Sequence, residues 1–194
     1  MESGDYKKAK VLIVDDSSFS RGLIHKTLHE LGIANPQIEQ AGSGEEAIDK
    51  MKKTKFDLFV LDIVMSGIDG VAVLREVKNT QSGAKVIMCS GSNANEVVDE
   101  LIELGIEAFI SKPFKATIFK NAFYRAFGIA KEEEMPDYWL AKCHKCDQQM
   151  IEVNAIHTVD FVCPNKCMRI GPLPAALIQQ AELDADYEKA KQKK

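Results

Sequence analysis

Five short strand candidates, separated by segments with helical spacing, constrain the fold of this chain more than any other feature of its sequence. Most of them are continuous apolar runs, which are typical of parallel strands buried on both faces. Their alternation with helical segments predicts an α/β fold, a parallel sheet with helices on both faces and right-handed crossovers. The strand candidates lie at residues 11–14, 36–41, 56–61, 85–89 and 108–110.

Helical periodicity fills the intervals between these strands. In the first interval, apolar residues recur three and four positions apart, from Leu23 and Ile24 to Leu28 and Leu31. Ser17 or Ser18 can cap the start of this helix, and Gly32 can end it. The other predicted helices cover residues 45–53, 71–78, 95–104 and 115–127.

Composition excludes several classes of protein. The chain has 194 residues, of which 45% are apolar, and a net charge of −4, so no general attraction to nucleic acid or to anionic membranes is expected. No signal peptide is visible, and no apolar stretch approaches the roughly 18 residues of a membrane span. We therefore expect a soluble, cytoplasmic protein, in which the five cysteines serve as metal ligands or catalytic groups rather than disulfides.

Chemically active residues follow four of the predicted strands. Asp15 and Asp16 come after the first, Asp62 after the third, Ser90 after the fourth and Lys112 after the fifth. Parallel strands bring these ends to one edge of the sheet, where α/β proteins bind ligands. Clustered carboxylates repel one another unless a cation joins them, and few hard oxygen ligands suit Mg²⁺. Each residue alone could be a helix-capping or turn residue, but together they predict phosphoryl transfer to Asp62.

Four motifs in this order resemble the receiver domain of two-component response regulators, including the chemotaxis type. They are the segments 11–17, 61–70, 89–90 and 111–114, and the resemblance spans roughly residues 8–128. It implies a flavodoxin-like, doubly wound sheet with strand order 2-1-3-4-5.

The resemblance also implies a role for each residue of the acidic edge. Asp62 would be the phosphoacceptor, and Lys112 would pair with the phosphoryl group. Asp16 would bind Mg²⁺ directly and Asp15 mainly through water, while Asp62 and the backbone carbonyl of Val64 would complete the protein's share of the metal shell.

Two further positions correspond to the family's conformational switch. Ser90 would be the switch hydroxyl and Phe109 the aromatic switch residue, which follows the hydroxyl inward when the phosphoryl group is present. Phe109 lacks the phenol hydroxyl often found at this position. Ser66 stands where a proline usually follows the methionine, so we expect the loop after Asp62 to be less rigid than in most relatives.

A second, smaller module follows the receiver-like region. Cys143 and Cys146 are separated by 16 residues from Cys163 and Cys167, which predicts a Cys₄ zinc site that resembles a zinc ribbon. A redox dithiol is the main alternative, although the usual βαβ context is absent. Haem attachment would require histidine at position 147, which is Asp147.

These features predict four regions along the chain. They are a receiver domain at residues 8–128, a linker at 129–138, a Cys₄ module at 139–171 built on a β-hairpin (strands 149–153 and 158–162), and a helix with a frayed tail at 172–194, entered near Pro174.

The favoured hypothesis is a response regulator rather than a dedicated enzyme. A histidine kinase would phosphorylate Asp62 in a Mg²⁺-dependent reaction, and the zinc-bearing tail would be freed, docked on a downstream protein or dimerised. One alternative is a redox or metal sensor that acts through the cysteines. Another is a transcription regulator that binds DNA through the ribbon, which the acidic charge balance disfavours.

Overall fold

The structure is a computed structural model that describes residues 5–91 and 97–129, together with the backbone of residues 151–154, 158–162 and 169–174. The chain divides into two compact units, Met1–Ile129 and Ala130–Lys194. Within the described residues, no helix is long and apolar enough to cross a membrane.

The first unit is built on a parallel sheet in the order β2-β1-β3-β4-β5. This confirms the predicted doubly wound sheet and its order 2-1-3-4-5. Because β1 pairs with β2 on one side and with β3 on the other, the winding direction changes beside β1, where folds of this type bind ligands. The strands are Val11–Val14 (β1), Ile38–Ala41 (β2), Leu58–Leu61 (β3), Lys85–Ser90 (β4) and Ala108–Ser111 (β5).

A helix follows each of these strands. The first three helices begin at a residue whose side chain accepts a hydrogen bond from a backbone amide three positions on, which stabilises the helix start. These capping residues are Ser17, Ser43 and Asp69. The helices are Ser18–Glu30 (α1), Gly44–Met51 (α2), Gly70–Thr80 (α3), Val98–Glu103 (α4) and Ala116–Ala126 (α5).

Alternate residues of each strand point to opposite sides of the sheet, so the apolar strands have two faces to bury. Helices cover both faces. On one face, fully buried side chains of the strands form a core with α1 and α5, whose members include Ile13, Val60, Ile24, Leu28, Phe119 and Phe123. On the other face α2 packs beside α3. An ion pair between Arg75 and Glu100, at 2.5 Å, joins α3 to α4.

The second unit contains a three-stranded antiparallel sheet. The first two strands, Ile151–Asn154 (β6) and Thr158–Val162 (β7), occupy the predicted hairpin, and Arg169–Pro174 (β8) pairs with the other side of β7. The sequence predicts that the chain enters a helix from Pro172 onward, but residues 172–174 form the end of β8. Proline occurs in sheets mainly on edge strands, so a segment with two prolines is a weak strand signal.

Several predicted features lie outside the described residues. They are the four candidate zinc ligands Cys143, Cys146, Cys163 and Cys167, residues 130–138 of the linker, and the helix predicted beyond Pro174. Element ends in the first unit differ from prediction by a few residues. For example, β2 begins at Ile38 because Asn35–Gln37 forms a short 3₁₀ helix.

Candidate functional site

The register of the sheet brings Asp15 and Asp62 together at its carboxyl edge. Val14 lies beside Leu61 on the neighbouring strand, so the two aspartates that follow them are also neighbours. The Asp62 amide donates a hydrogen bond to the Val14 carbonyl at 2.8 Å, which extends the sheet pairing to the site itself. On the far side, the Lys112 amide donates to the Ser90 carbonyl at 2.6 Å and so fixes the lysine beside the end of β4.

Lys112 bridges the two aspartates. Its Nζ lies 2.5 Å from Asp15 Oδ2 and 2.7 Å from Asp62 Oδ2, and these side chains are 1% and 9% exposed. Burial lowers the pKa of the Lys112 ammonium, but the hydrogen bonds and negative charges of Asp15 and Asp62 outweigh that effect and raise its pKa above the usual value. The lysine is therefore positively charged at neutral pH.

Asp16 completes an acidic cluster with these two residues. One oxygen each from Asp15, Asp16 and Asp62 lies within 4.8 Å of the others, and Asp16 is exposed whereas the other two are buried. Among the residues that the structure describes, Lys112 is the one cation paired with these carboxylates, so negative charge exceeds positive charge in the cluster. Hard oxygen donors with one side open to water are the ligand set that Mg²⁺ prefers, since this ion keeps several of its waters. The residues present therefore fit Mg²⁺.

The loop between Asp62 and α3 folds closely against Asp62. The Gly70 amide donates to the Ile63 carbonyl at 3.0 Å, and the Val64 amide makes a long contact of 3.4 Å with Asp62 Oδ1. A Cβ atom at Gly70 would overlap the Asp62 carbonyl oxygen, so only glycine allows this approach. The Val64 side chain is exposed.

Ser90 and Phe109, the predicted switch residues, are both fully buried. Ser90 ends β4, and Phe109 lies beside Met88 in the register between β4 and β5. The Ser90 hydroxyl has no hydrogen-bond partner among the residues that the structure describes. A buried hydroxyl without a partner is uncommon in native proteins and requires an explanation.

Arg21 supports the acid pair and was not anticipated from the sequence. Its Nη1 donates to the Asp15 carbonyl at 2.7 Å and to the Asp16 carbonyl at 3.2 Å, and its Nε donates to Gln40 Oε1 at 3.3 Å. Because helical side chains point back toward the N-terminus, an arginine one turn into α1 can reach the preceding loop. The position of Arg21, one turn into α1, is the sequence feature from which this contact could have been predicted.

Glu45 is the second residue that the sequence analysis missed. It lies in the first turn of α2, and its Oε1 accepts a hydrogen bond from the Ile68 amide at 3.0 Å. The two residues are 23 positions apart. Acidic residues are common in the first turn of a helix, so the sequence offered no reason to single this one out.

The chain belongs to the response regulator receiver domain family. It matches the family model over residues 11–123, which is more than half of the chain and includes every residue of the site described above. Receiver domains of this family are generally signalling switches in two-component systems and imply a histidine kinase as partner. Mg²⁺ binding is typical of such domains.

Individual relatives agree with this assignment. The chain is 41% identical over 120 residues to protein CcdB of Bacillus subtilis, a match that covers 61% of this chain and 98% of CcdB. It is 36% identical over 107 residues to the chemotaxis protein CheY of the same organism, covering 55% and 88% of the two chains.

Solved structures show the same fold. The receiver domain of NtrX from Brucella abortus superposes with a TM-score of 0.56 at 30% identity, covering 62% of this chain and 99% of that domain. The longer NtrX structure with ADP gives a TM-score of 0.57 at 31% identity, but this chain covers only 28% of it. The likeness to NtrX is therefore a likeness to one part of a larger protein.

Proposed function

We propose that this protein is a phosphorylation-controlled switch whose receiver domain accepts a phosphoryl group on Asp62 from a histidine kinase. The observation that supports this most is the setting of the Asp62 carboxylate. It lies at the ligand-binding edge of the sheet, 2.7 Å from Lys112 Nζ, with oxygens of Asp15 and Asp16 within 4.8 Å.

In the proposed reaction, a carboxylate oxygen of Asp62 attacks the phosphorus of a phosphohistidine. The new P–O bond gives an acyl phosphate as the P–N bond breaks, and the imidazole nitrogen keeps the electron pair and takes a proton from solvent. Lys112 provides a fixed positive charge for the transferred group. A Mg²⁺ ion held by Asp15, Asp16, Asp62 and the Val64 carbonyl would neutralise the remaining phosphoryl charge.

The proposed switch uses the two buried residues beside the site. A phosphoryl oxygen on Asp62 would be an acceptor for the Ser90 hydroxyl, which is buried and unpaired within the described part of the chain. Movement of Ser90 would change the space available to Phe109 and thereby the surface formed by α4, β5 and α5. This is a local charge event that biases a two-state element.

Phosphorylation can be tested with a small phosphodonor, which avoids the need for the cognate kinase. We expect acetyl phosphate with Mg²⁺ to add one phosphoryl group to the full chain, seen by intact mass and removed by hydroxylamine. Asp62→Asn should abolish the gain, whereas Asp49→Asn, which alters an exposed ion pair with Lys52 on α2, should not. Labelling of the Asp62→Asn variant at the wild-type level would refute the assignment.

The second part of the proposal is a zinc site held by the four cysteines Cys143, Cys146, Cys163 and Cys167. In the second unit, Val162 lies opposite Ile151 on one side and opposite Arg169 on the other. The start of β6, the end of β7 and the start of β8 therefore lie at the same end of the sheet. In the sequence, the first cysteine pair lies five to eight residues before β6, and the second pair lies between the end of β7 and the start of β8. This placement is typical of a zinc ribbon.

The metal content of the purified chain tests this part. We expect one zinc per chain, and its loss when Cys143 and Cys163 are both replaced by serine. A chain without zinc that instead forms a reversible disulfide would favour the redox-sensor alternative. Salt-dependent DNA binding would favour the transcription-regulator alternative.

The output is proposed to act through the second unit, by contact with a downstream protein or by dimerisation, in the cytoplasm. Amide hydrogen exchange of the full chain with and without beryllofluoride and Mg²⁺ tests this. Changes that reach residues 140–190 would support the second unit as output. Changes confined to residues 8–128 would mean that it is a passive or separate binding module.

A further inference from the structure

Glu45 ties the start of α2 to the loop that follows Asp62. Its Oε1 accepts a hydrogen bond from the Ile68 amide at 3.0 Å. Gly67 has a φ of +78°, and a Cβ atom there would overlap Glu45 Oε1. A Cβ atom at Gly44 would overlap the Ile68 carbonyl oxygen. The start of α2 and the loop therefore lie in direct contact. The absence of a Cβ atom at Gly44 and at Gly67 makes this close approach possible.

Among the residues that the structure describes, the other hydrogen bonds of this loop lie at its two ends. The Val64 amide makes its long contact with Asp62 at one end, and the Gly70 amide binds the Ile63 carbonyl at the other. Among the described residues, the bond to Glu45 is the only hydrogen bond formed by residues 65–68. Glu45 therefore restrains the part of the loop that the sheet and α3 do not.

The sequence explains why this restraint matters. Position 66 is serine, which, unlike proline, does not fix the backbone angle φ near −65°. This loop therefore lacks an intrinsic restraint at that position. A hydrogen bond from a different element can replace it, provided that the acceptor is itself held in place. Glu45 meets this condition because it lies in the first turn of α2, next to the capping residue Ser43.

Glu45 is also a strong acceptor. Hydrogen bonds from its own amide, from the Ile68 amide and from the Ser43 side chain lower the pKa of the Glu45 carboxyl. The group is therefore ionised at neutral pH, and hydrogen bonds to ionised acceptors are about twice as strong as neutral ones.

We propose that Glu45 is a positioning residue that holds the loop after Asp62 in its metal-binding arrangement, in place of the restraint that a proline at position 66 would provide. This inference rests on the proposed function, because the loop carries the Val64 carbonyl assigned to Mg²⁺. Loss of the bond should let residues 65–68 sample other conformations, and Mg²⁺ binding would then have to reorder them.

The direct readout is the exchange rate of the Ile68 amide in the full chain without metal, measured by NMR. We expect Glu45→Ala to raise this rate by about 3–10-fold, and Glu45→Gln, which keeps an acceptor oxygen, to raise it less. Asp49→Ala is the matched control, since Asp49 is an exposed acidic residue of the same helix and its ion pair is with Lys52. It should leave Ile68 exchange unchanged.

The second readout is the Mg²⁺ dissociation constant from calorimetric titration. Glu45→Ala should weaken binding by about 3–10-fold relative to the Asp49→Ala control. Adding Ser66→Pro to Glu45→Ala should restore most of the affinity, whereas Ser66→Pro alone should change it little. This non-additivity is the signature of two restraints on one loop.

Three results would count against the inference. Equal Mg²⁺ affinity in Glu45→Ala and the control would overturn it, as would unchanged Ile68 exchange. An identical effect of Ser66→Pro with and without Glu45 would overturn the claim that one restraint replaces the other. If the wild-type chain itself does not bind Mg²⁺, the proposed function fails at the metal site, which is a different outcome from wild-type binding that is indifferent to Glu45.

Discussion

Replacing Lys112 with methionine would test the electrostatic description of the site. Methionine keeps an unbranched chain as far as Cε, with sulfur in place of one methylene, and lacks the ammonium group. In the wild type, Nζ contacts Asp15 Oδ2 at 2.5 Å and Asp62 Oδ2 at 2.7 Å, and both carboxylates are almost completely buried. The variant would leave two adjacent buried carboxylates without the cation that stabilises them.

The expected loss of stability follows from this burial. Removing one partner of a buried ion pair costs about 3–5 kcal/mol. The Lys112 side chain is 22% exposed, so solvent screens part of the interaction, and we expect the lower end of that range, about 3 kcal/mol. This corresponds to a change of roughly 150-fold in the ratio of folded to unfolded protein.

Mg²⁺ should reverse part of this loss. Without the lysine charge, the carboxylates attract a divalent cation more strongly, and each tenfold gain in affinity over wild type stabilises the variant by about 1.4 kcal/mol relative to wild type at saturating Mg²⁺. The difference in unfolding free energy between wild type and Lys112→Met should therefore be largest in EDTA and smaller in Mg²⁺.

The assay is a urea titration of the full chain, followed through NMR signals of core residues such as Leu12 and Val60, so that it reports the first unit alone. Lys120→Met is the control, because Lys120 forms a partly exposed ion pair with Glu30 at 2.8 Å and should cost only about 0–1 kcal/mol. A loss below about 1 kcal/mol for Lys112→Met in EDTA, or a loss that Mg²⁺ does not change, would refute the reasoning.

Three further predictions concern residues around the site and the opposite edge of the sheet. Burial raises the pKa of Glu107, so its stabilising contribution is complete below the unfolded value of 4.5 and declines as the pH rises through the folded value. Glu107→Gln, which keeps an acceptor for the Val86 amide, should therefore lose less stability than wild type as the pH rises above 4.5. Parallel pH profiles would contradict this. Gly70→Ala should destabilise the fold by about 1–3 kcal/mol in urea titrations, because its Cβ atom would overlap the Asp62 carbonyl oxygen. Gly83→Ala should not destabilise it, since the space around Gly83 is open. Equal effects of the two substitutions would argue against the overlap. Arg21→Ala should weaken Mg²⁺ binding in calorimetry, because Arg21 donates hydrogen bonds to the Asp15 and Asp16 carbonyls. Arg21→Lys should recover only part of the lost affinity, since one ammonium cannot reproduce the geometry of the guanidinium. Full recovery by lysine would contradict this.

The sheet and the principal residues of the site were predictable because both depend on short-range sequence features. Continuous apolar runs marked β1, β3, β4 and β5, and the residue after each run marked the edge at which ligands bind. Once parallel pairing is assumed, adjacency of Asp15 and Asp62 follows from their positions at strand ends.

The supporting contacts were not predictable in the same way. Glu45 and Ile68 meet only because α2 and the loop after β3 converge in three dimensions, and an exposed residue such as Glu45 adds nothing to an apolar periodicity. The strand β8 was missed for a different reason. Its prolines are typical of a helix start or a turn, and pairing with β7 overrides that local preference.

The Ser90 hydroxyl links stability to signalling in the proposed mechanism. A switch requires a ligand or modification that interacts differently with the two states. Ser90 Oγ is buried and lacks a partner in the part of the chain that the structure describes, which costs about 1–3 kcal/mol in the unphosphorylated state. If a phosphoryl oxygen on Asp62 accepts its hydrogen bond, that cost disappears only after phosphorylation. The unsatisfied hydroxyl alone would then favour the active arrangement by about 5–150-fold, so a single serine can supply a substantial part of the coupling that the switch needs.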